Sequence, residues 1–230
     1  MESKRVGVVI VAGGSGSRMG GSMPKQFALV DGEPILVRTI NNFAKAFAGA
    51  KIVVVLPAQQ IDFWRNYSAR FRVARHTIAE GGEQRFHSVK SGIESITEYV
   101  DLIAIQDGVR PFASIEMLRA TARCAAEHGS AIPVVEAVDS FREVTAEGSQ
   151  IIDRSKLRVV QTPQIFDASL IRAAYDTHYQ PSFTDDASVV ESTTTHRVTL
   201  CAGERNNIKI TTPDDMVIAE AIARSIRGAE

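Results

Sequence analysis

The sequence predicts an α/β fold, a mostly parallel central sheet with helices on both faces and a protruding β-hairpin arm. Three observations carry this. The β-branched run Val6–Val11 stops abruptly at Gly13-Gly14, as a buried strand does. A second such run, Lys51–Leu56, lies between two helical patterns, and strand–helix alternation implies parallel strands. The stretch 136–158 breaks that rhythm.

In order, residues 27–31 read as extended, and Gly32-Glu33-Pro34 opens a helix whose apolar face is Ile35, Leu36, Thr39, Ile40 and Phe43. After the second strand come a helix over 59–71 containing Trp64 and a weaker strand over 73–78. Glu80-Gly81-Gly82-Glu83-Gln84-Arg85 is a glycine turn before a helix through Val89, Ile93 and Ile96. A strand over 102–105 runs into Gln106-Asp107-Gly108-Val109-Arg110-Pro111, followed by a helix over 114–127 and a strand over 130–135. Alternating Val138, Phe141 and Val144, a turn at Gly148 and Ile151-Ile152 then predict a hairpin arm, whose apolar residues a second copy of the chain would cover. Beyond it, 159–166 is extended, 167–178 helical, 198–201 and 206–210 short strands. Thr184 and Thr212 read as N-caps, the latter opening a terminal helix through Met216, Ile218, Ala219, Ile222 and Ile226.

Chemistry concentrates in 6–26, VGVVIVAGGSGSRMGGSMPKQ. Gly13, Gly14 and Gly16 allow backbone N–H groups to approach a ligand, while Arg18 and Lys25 add fixed positive charge, a combination suited to phosphates. It is not a P-loop, because Ser17-Arg18-Met19 follows Gly16 where lysine and a hydroxyl are required. A dinucleotide fingerprint is disfavoured as well: Met19 takes the third glycine's place, and strand two ends in Leu56-Pro57 without an acid for a ribose. A nucleoside triphosphate across the sheet's carboxyl edge remains. Gly81 and Gly82 fall on that same edge, where backbone groups would read a base, with Ser88 nearby. Asp107 directly follows a strand and is placed to hold Mg²⁺ between phosphate oxygens, or else to cap a turn or pair with Arg110. Arg110 binds substrate or orients Asp107. Lys209, between Ile208 and Ile210, points away from their apolar face.

The remaining composition narrows the classes. A chain of 230 residues fits one large domain, and 26 basic against 27 acidic residues leave no global field to attract nucleic acid or membrane. The apolar run after MESKR is too short for a membrane span and ends in glycines, so neither export signal nor membrane anchor is expected. Cys124 and Cys201 fall in no metal or redox spacing and read as reduced thiols of a cytoplasmic protein. His76, His87, His128, His178 and His196 form no constellation.

Six ordered segments, AGGSGSRMGGSMPKQF, GGEQRFHSV, QDGVRP, DRSKLRVVQTPQIF, TDDAS and NNIKITTPDD, together resemble the 2-C-methyl-D-erythritol 4-phosphate cytidylyltransferases of non-mevalonate isoprenoid synthesis, over nearly the whole chain. The resemblance implies a single Rossmann-like domain, a homodimer formed through the arm, and transfer of CMP from CTP to the polyol phosphate with release of pyrophosphate. It implies that Ala12 and the glycines of the first loop line the nucleotide site, and that Arg18 and Lys25 hold the triphosphate and stabilise charge on the attacked α-phosphorus. Gly81, Gly82 and Ser88 would read cytosine, Asp107 would carry Mg²⁺, and Arg110, Lys209 and the partner's Arg154 would grip the acceptor phosphate. Lys209 would also orient the attack. Because both reactants are anionic phosphates, clustered cations answer the main obstacle, and an acceptor monoester with a second pKa of about 6 needs no general base.

Two departures stand out. The family's usual Asp-Ala-Ala-Arg-Pro is Asp107-Gly108-Val109-Arg110-Pro111 here, and the arm begins Glu136-Ala137-Val138-Asp139-Ser140 where Asp-Thr and basic residues are usual. The first keeps Asp and Arg in place; the second, the unusual arm, keeps open another acceptor, such as ribitol 5-phosphate. A non-catalytic sugar-nucleotide-binding protein is the reading from a different class.

Overall fold

The computed structural model describes residues 4–13 and 23–228. In chain order the elements are β1 (Val6–Val11), β2 (Leu29–Val30), β3 (Glu33–Pro34), α1 (Ile35–Ala46), β4 (Lys51–Leu56), α2 (Ala58–Ser68), β5 (Thr77–Glu80), α3 (Arg85–Glu94), β6 (Leu102–Asp107), α4 (Ile115–His128) and β7 (Ser130–Glu136). They continue with β8 (Phe141–Thr145), β9 (Gly148–Ile152), β10 (Arg158–Val160), β11 (Gln164–Asp167), α5 (Ala168–Ala174), α6 (Asp186–Thr193), β12 (Leu200–Ala202) and α7 (Pro213–Arg227). The main sheet runs β10-β7-β11-β6-β1-β4-β5, with β12 also paired to β7. β5, β4, β1 and β6 are mutually parallel, whereas β11 is inserted antiparallel between β6 and β7.

Period-two alternation sorts the strands' side chains onto two faces. Val8, Ile10, Ile52 and Val54 join Leu36, Ile40, Trp64 and Leu118 from α1, α2 and α4 in one core. Val9, Val53, Val55, Ile103 and Ile105 face Val89, Ile171 and Val190 from α3, α5 and α6 in the other. The central strands are therefore covered on both faces, as their unbroken apolar runs require. α7 packs through Ala219 and Ala223 against Val30, Ile35, Val109 and Phe112. The expected contribution of Ile218 and Ile226 fails, since both are exposed.

Several boundaries differ from expectation because distant side chains or a distant carbonyl take the backbone's hydrogen bonds. α2 ends at Ser68, and β5 begins only at Thr77. In the gap, Asn41 accepts from the Ala74 N–H at 2.9 Å and donates to the Arg72 carbonyl at 2.9 Å, supplying partners that a strand ladder would otherwise provide. Trp64, fully buried, donates its indole N–H to His76 Nε2 at 3.0 Å. α5 stops at Ala174, with the next carbonyl, that of Tyr175, accepting from Lys90 Nζ at 2.8 Å. Residues 206–210 are irregular, not a strand; the Ile210 N–H donates to the Val109 carbonyl at 3.0 Å instead of joining a ladder. The N-cap of α6 is Asp185, not Thr184. Thr212 caps α7 as expected, and Ser114 caps α4.

Among the described residues β8 and β9 pair only with each other, in a register closed by Gly148 at φ +137°, and their side chains are almost all exposed. This is the arm. Cys124 and Cys201 are free and lie side by side, their thiols pushed up mainly by burial. Among the described residues, no helix is long and apolar enough to cross a membrane.

Candidate active site

Strand register aligns the chemistry along one edge. Val11 pairs with Asp107 on one side and with Val55 on the other, and Leu56 pairs with Glu80, so Asp107, the start of the first glycine loop and the second glycine turn all leave the sheet together. This carboxyl edge is where open α/β sheets bind ligands. A cavity of about 310 Å³ opens there, lined by Gly13, Pro57, Gln60, Glu80, Gly81, Gly82 and Ser88 among others. A wider, shallower depression of about 800 Å³ at the opposite end includes Lys4 and Asp101, already paired with each other at 3.4 Å, and has no cluster of cations.

The cavity wall is built from backbone. The Gly81 N–H donates to the Leu56 carbonyl at 2.8 Å, and the Gly82 N–H donates to Ser88 Oγ at 3.2 Å. Buried Ser88 thus fixes the turn as well as lining the cavity. A Cβ at Gly82 would stand 2.4 Å from His87 Cβ, which explains the glycine. Ala12 is held from both sides: its N–H donates to the Val55 carbonyl at 2.9 Å, and its own carbonyl accepts from Gln26 Nε2 at 2.8 Å. Gln26 also donates to Gln60 Oε1 at 2.7 Å, tying the chain beyond the loop to the cavity wall. Lys25 begins a short 3₁₀ turn, Lys25–Phe27, at this junction. Gly14, Gly16 and Arg18 lie outside the described residues.

At the end of β6, Asp107 is surrounded by cations. Lys209 Nζ is 3.0 Å and Arg110 Nε 3.3 Å from Oδ2, while Arg85 Nε is 3.8 Å from Oδ1. Burial pushes the Asp107 carboxyl up, but Arg85, then Lys209 and Arg110, outweigh it and hold the group below the usual carboxylate range. Arg110 is fixed in turn, because Nη1 donates to the Asn207 carbonyl at 2.8 Å. Fully buried Asn207 donates to the Thr162 carbonyl at 2.9 Å, and the Thr162 hydroxyl accepts from the Asp107 N–H at 3.1 Å. The sequence expectation for Lys209 holds: it points to Asp107, away from buried Ile210.

Arg154 is not in this cluster. It sits in a 3₁₀ turn at the base of the arm, exposed, donating to the Val138 carbonyl of its own chain. Arg85 and Asp186 lie outside the candidates read from sequence, although Arg85 ends the second glycine turn and both fall within segments that carry the family resemblance, GGEQRFHSV and TDDAS. Among the histidines, His76 pairs with Trp64, His87 accepts from the Gln84 N–H at 3.3 Å, and His196 lies 2.9 Å from Ser130 Oγ, all structural contacts.

A divalent cation fits this donor set in one way. No group of three or more His, Cys, Asp or Glu side chains that could hold a metal occurs among the described residues. Asp107 would be the single carboxylate, with phosphate oxygens and water completing the shell, as Mg²⁺ commonly accepts.

Comparison with known proteins identifies the family. The family model for 2-C-methyl-D-erythritol 4-phosphate cytidylyltransferase matches residues 6–225. The enzyme of that name from Bacteroides thetaiotaomicron is 44% identical over 216 residues, covering 94% of this chain and 98% of its own, and that from Geobacillus kaustophilus is 39% identical over 223 residues, covering 94% and 96%. The crystal structure of 2-C-methyl-D-erythritol 4-phosphate cytidylyltransferase from Thermus thermophilus superposes with TM-score 0.73 at 28% identity, over 96% of this chain and 98% of that one. A cation cluster and a glycine-walled cavity on one edge, in a chain matched almost end to end, place this protein in the 2-C-methyl-D-erythritol 4-phosphate cytidylyltransferase family.

Proposed function

We propose that this enzyme transfers CMP from CTP to 2-C-methyl-D-erythritol 4-phosphate, with release of pyrophosphate, by in-line attack of the acceptor phosphate on the α-phosphorus. The observation that carries it is the juxtaposition of Asp107, Arg110 and Lys209 with the cavity walled by Gly81 and Gly82. Cytosine enters the cavity, where fixed backbone donors and acceptors discriminate it from uracil. Lys25 and Arg18 hold the triphosphate and oppose the charge that grows on the attacked phosphoryl group. Arg110 and Lys209 receive the acceptor phosphate, and their attraction offsets the repulsion between the two anions. Asp107 would be the protein ligand of a Mg²⁺ ion, which would supply charge neutralisation on the triphosphate.

The active unit is a homodimer in which the arm brings Arg154 to the partner's site. The exposed Val144 and Ile151 of the arm support that assembly, as apolar residues needing a cover. The free thiols of Cys124 and Cys201 support residence in the cytoplasm. The quoted relatives' names favour the methylerythritol acceptor over ribitol 5-phosphate, and the assembled Asp107–Arg110–Lys209 cluster speaks against a silent binding protein. Pyrophosphate release, measured with CTP or UTP against each of several polyol phosphates, tests the assignment. Turnover only with CTP and 2-C-methyl-D-erythritol 4-phosphate is expected; preference for another polyol phosphate removes the acceptor assignment.

A further inference from the structure

Asp186 is fully buried, an expensive place for a carboxylate unless it is paired. Both its oxygens are taken by one guanidinium: Arg85 Nη1 donates to Oδ1 at 2.8 Å and Nη2 to Oδ2 at 2.7 Å. The Tyr175 hydroxyl donates to Oδ1 at 2.6 Å. A bidentate fork of this kind fixes the plane of the guanidinium as well as its position. With its terminal nitrogens committed to Asp186, Arg85 presents Nε to Asp107 Oδ1 at 3.8 Å. The opposite oxygen of Asp107 is the one shared by Arg110 and Lys209.

We infer that Arg85, held by the buried Asp186 and the Tyr175 hydroxyl, is a positioning residue for the transfer reaction: it orients Asp107 so that Oδ2 organises Arg110 and Lys209 for the acceptor phosphate. Arg85 itself does not grip the acceptor, because Asp186 occupies its fork. Asp186 also sets the charge of the edge. Arg85, Arg110 and Lys209 would stand as three cations around one carboxylate; the second carboxylate leaves a single net positive charge. The chain thus couples α6, through one side chain of α3, to the residue at the tip of β6.

This inference rests on the transfer reaction proposed above, and kinetics separate the two. An inactive wild-type enzyme with CTP and the methylerythritol phosphate would remove the reaction itself; the following results concern Arg85 alone. Arg85→Lys keeps a cation beside Asp186 and loses the fork. It is expected to lower kcat about 30-fold while KM for CTP moves less than about twofold. In an Asp107→Asn background, the same change should alter the residual single-turnover rate less than about twofold, because the carboxylate being oriented is already gone. Asp186→Asn should reproduce the Arg85→Lys pattern; if that variant does not fold, the Arg85→Lys cycle decides alone. A full 30-fold further loss in the Asp107→Asn background, a rise in CTP KM without loss of kcat, or loss of the cooperative thermal transition in Arg85→Lys would each overturn the inference.

Discussion

Lys209 Nζ lies 3.0 Å from Asp107 Oδ2, and the backbone beside it is pinned by the Ile210 N–H to the Val109 carbonyl at 3.0 Å. The lysine is therefore held at the tip of β6 by the loop that follows β6, not by a strand of its own. Replacing Lys209 with alanine should lower kcat/KM for the acceptor by about 10²–10³-fold, the range for loss of one preorganised charge contact. Folding should be little affected, since the side chain is nearly half exposed. Initial rates at saturating CTP check this, and a variant within threefold of wild type would remove Lys209 from the chemistry.

Arg154 stands in the arm, apart from its own chain's Asp107 cluster. Two inactive chains, Arg154→Ala and Lys25→Ala, should regenerate activity when subunits are exchanged, because one site of each mixed dimer is intact. About a quarter of wild-type activity is expected from equal mixing, with random pairing placing half the chains in mixed dimers. Absence of recovery after exchange is verified by mass spectrometry would confine each site to one chain.

Gly108, where the chain departs from the Asp-Ala-Ala-Arg-Pro pattern it resembles, stands at a close approach between β6 and β1. A Cβ there would lie 2.9 Å from Ala12 Cβ and 3.1 Å from the Val11 carbonyl oxygen, so a larger residue would push the loop leaving β6 away from β1. Gly108→Ala should cost about 1–3 kcal/mol as overpacking, read as a lower urea midpoint with unchanged m-value. Adding Ala12→Gly, which deletes the nearer of the two obstacles, should restore part of the loss. No change in midpoint for the single variant would show that the loop gives way freely.

The carboxyl of Asp107 is depressed, because the three cations outweigh its burial. A depressed carboxyl contributes stability that is fully present above the unfolded value of about 3.9 and is lost as pH falls through the folded value. Asp107 therefore stays ionised through the range where enzymes are usually assayed. The acid limb of kcat/KM should lie near pH 6, set by the second ionisation of the acceptor phosphate at about that pH. Steady-state profiles with the acceptor varied test this; a limb near pH 4 would assign it to a protein carboxylate.

The parts of the fold that could be read from sequence were those decided by local pattern. Val6–Val11 and Lys51–Leu56 are nearly continuous apolar runs because both sheet faces are covered, and the Thr212 cap is set within one turn. What escaped was decided at long range. Ile208, Lys209 and Ile210 alternate like a strand, yet the Ile210 N–H is claimed by Val109, and Asn207 is drawn inward by Thr162. Asn41 intercepts the chain ahead of β5 in the same way. The site followed this rule too. Asp107, Arg110 and Lys209 stand out as charges beside apolar residues, whereas Arg85 and Asp186, 101 positions apart, each look like an ordinary first residue of a helix until they are seen to share a fork.

Among the described residues the arm's two strands pair with nothing but each other and leave Val144 and Ile151 open to water. A lone ribbon of this size is marginally stable at best, so its order depends on what packs against it. With a second copy as that cover, protein concentration becomes a rate-determining variable: dilution below the dissociation constant would melt the ribbon, carry Arg154 away and silence both subunits together while leaving the nucleotide edge of each intact. Specific activity would then climb with enzyme concentration, and proteases would cut the dilute protein first between β8 and β9.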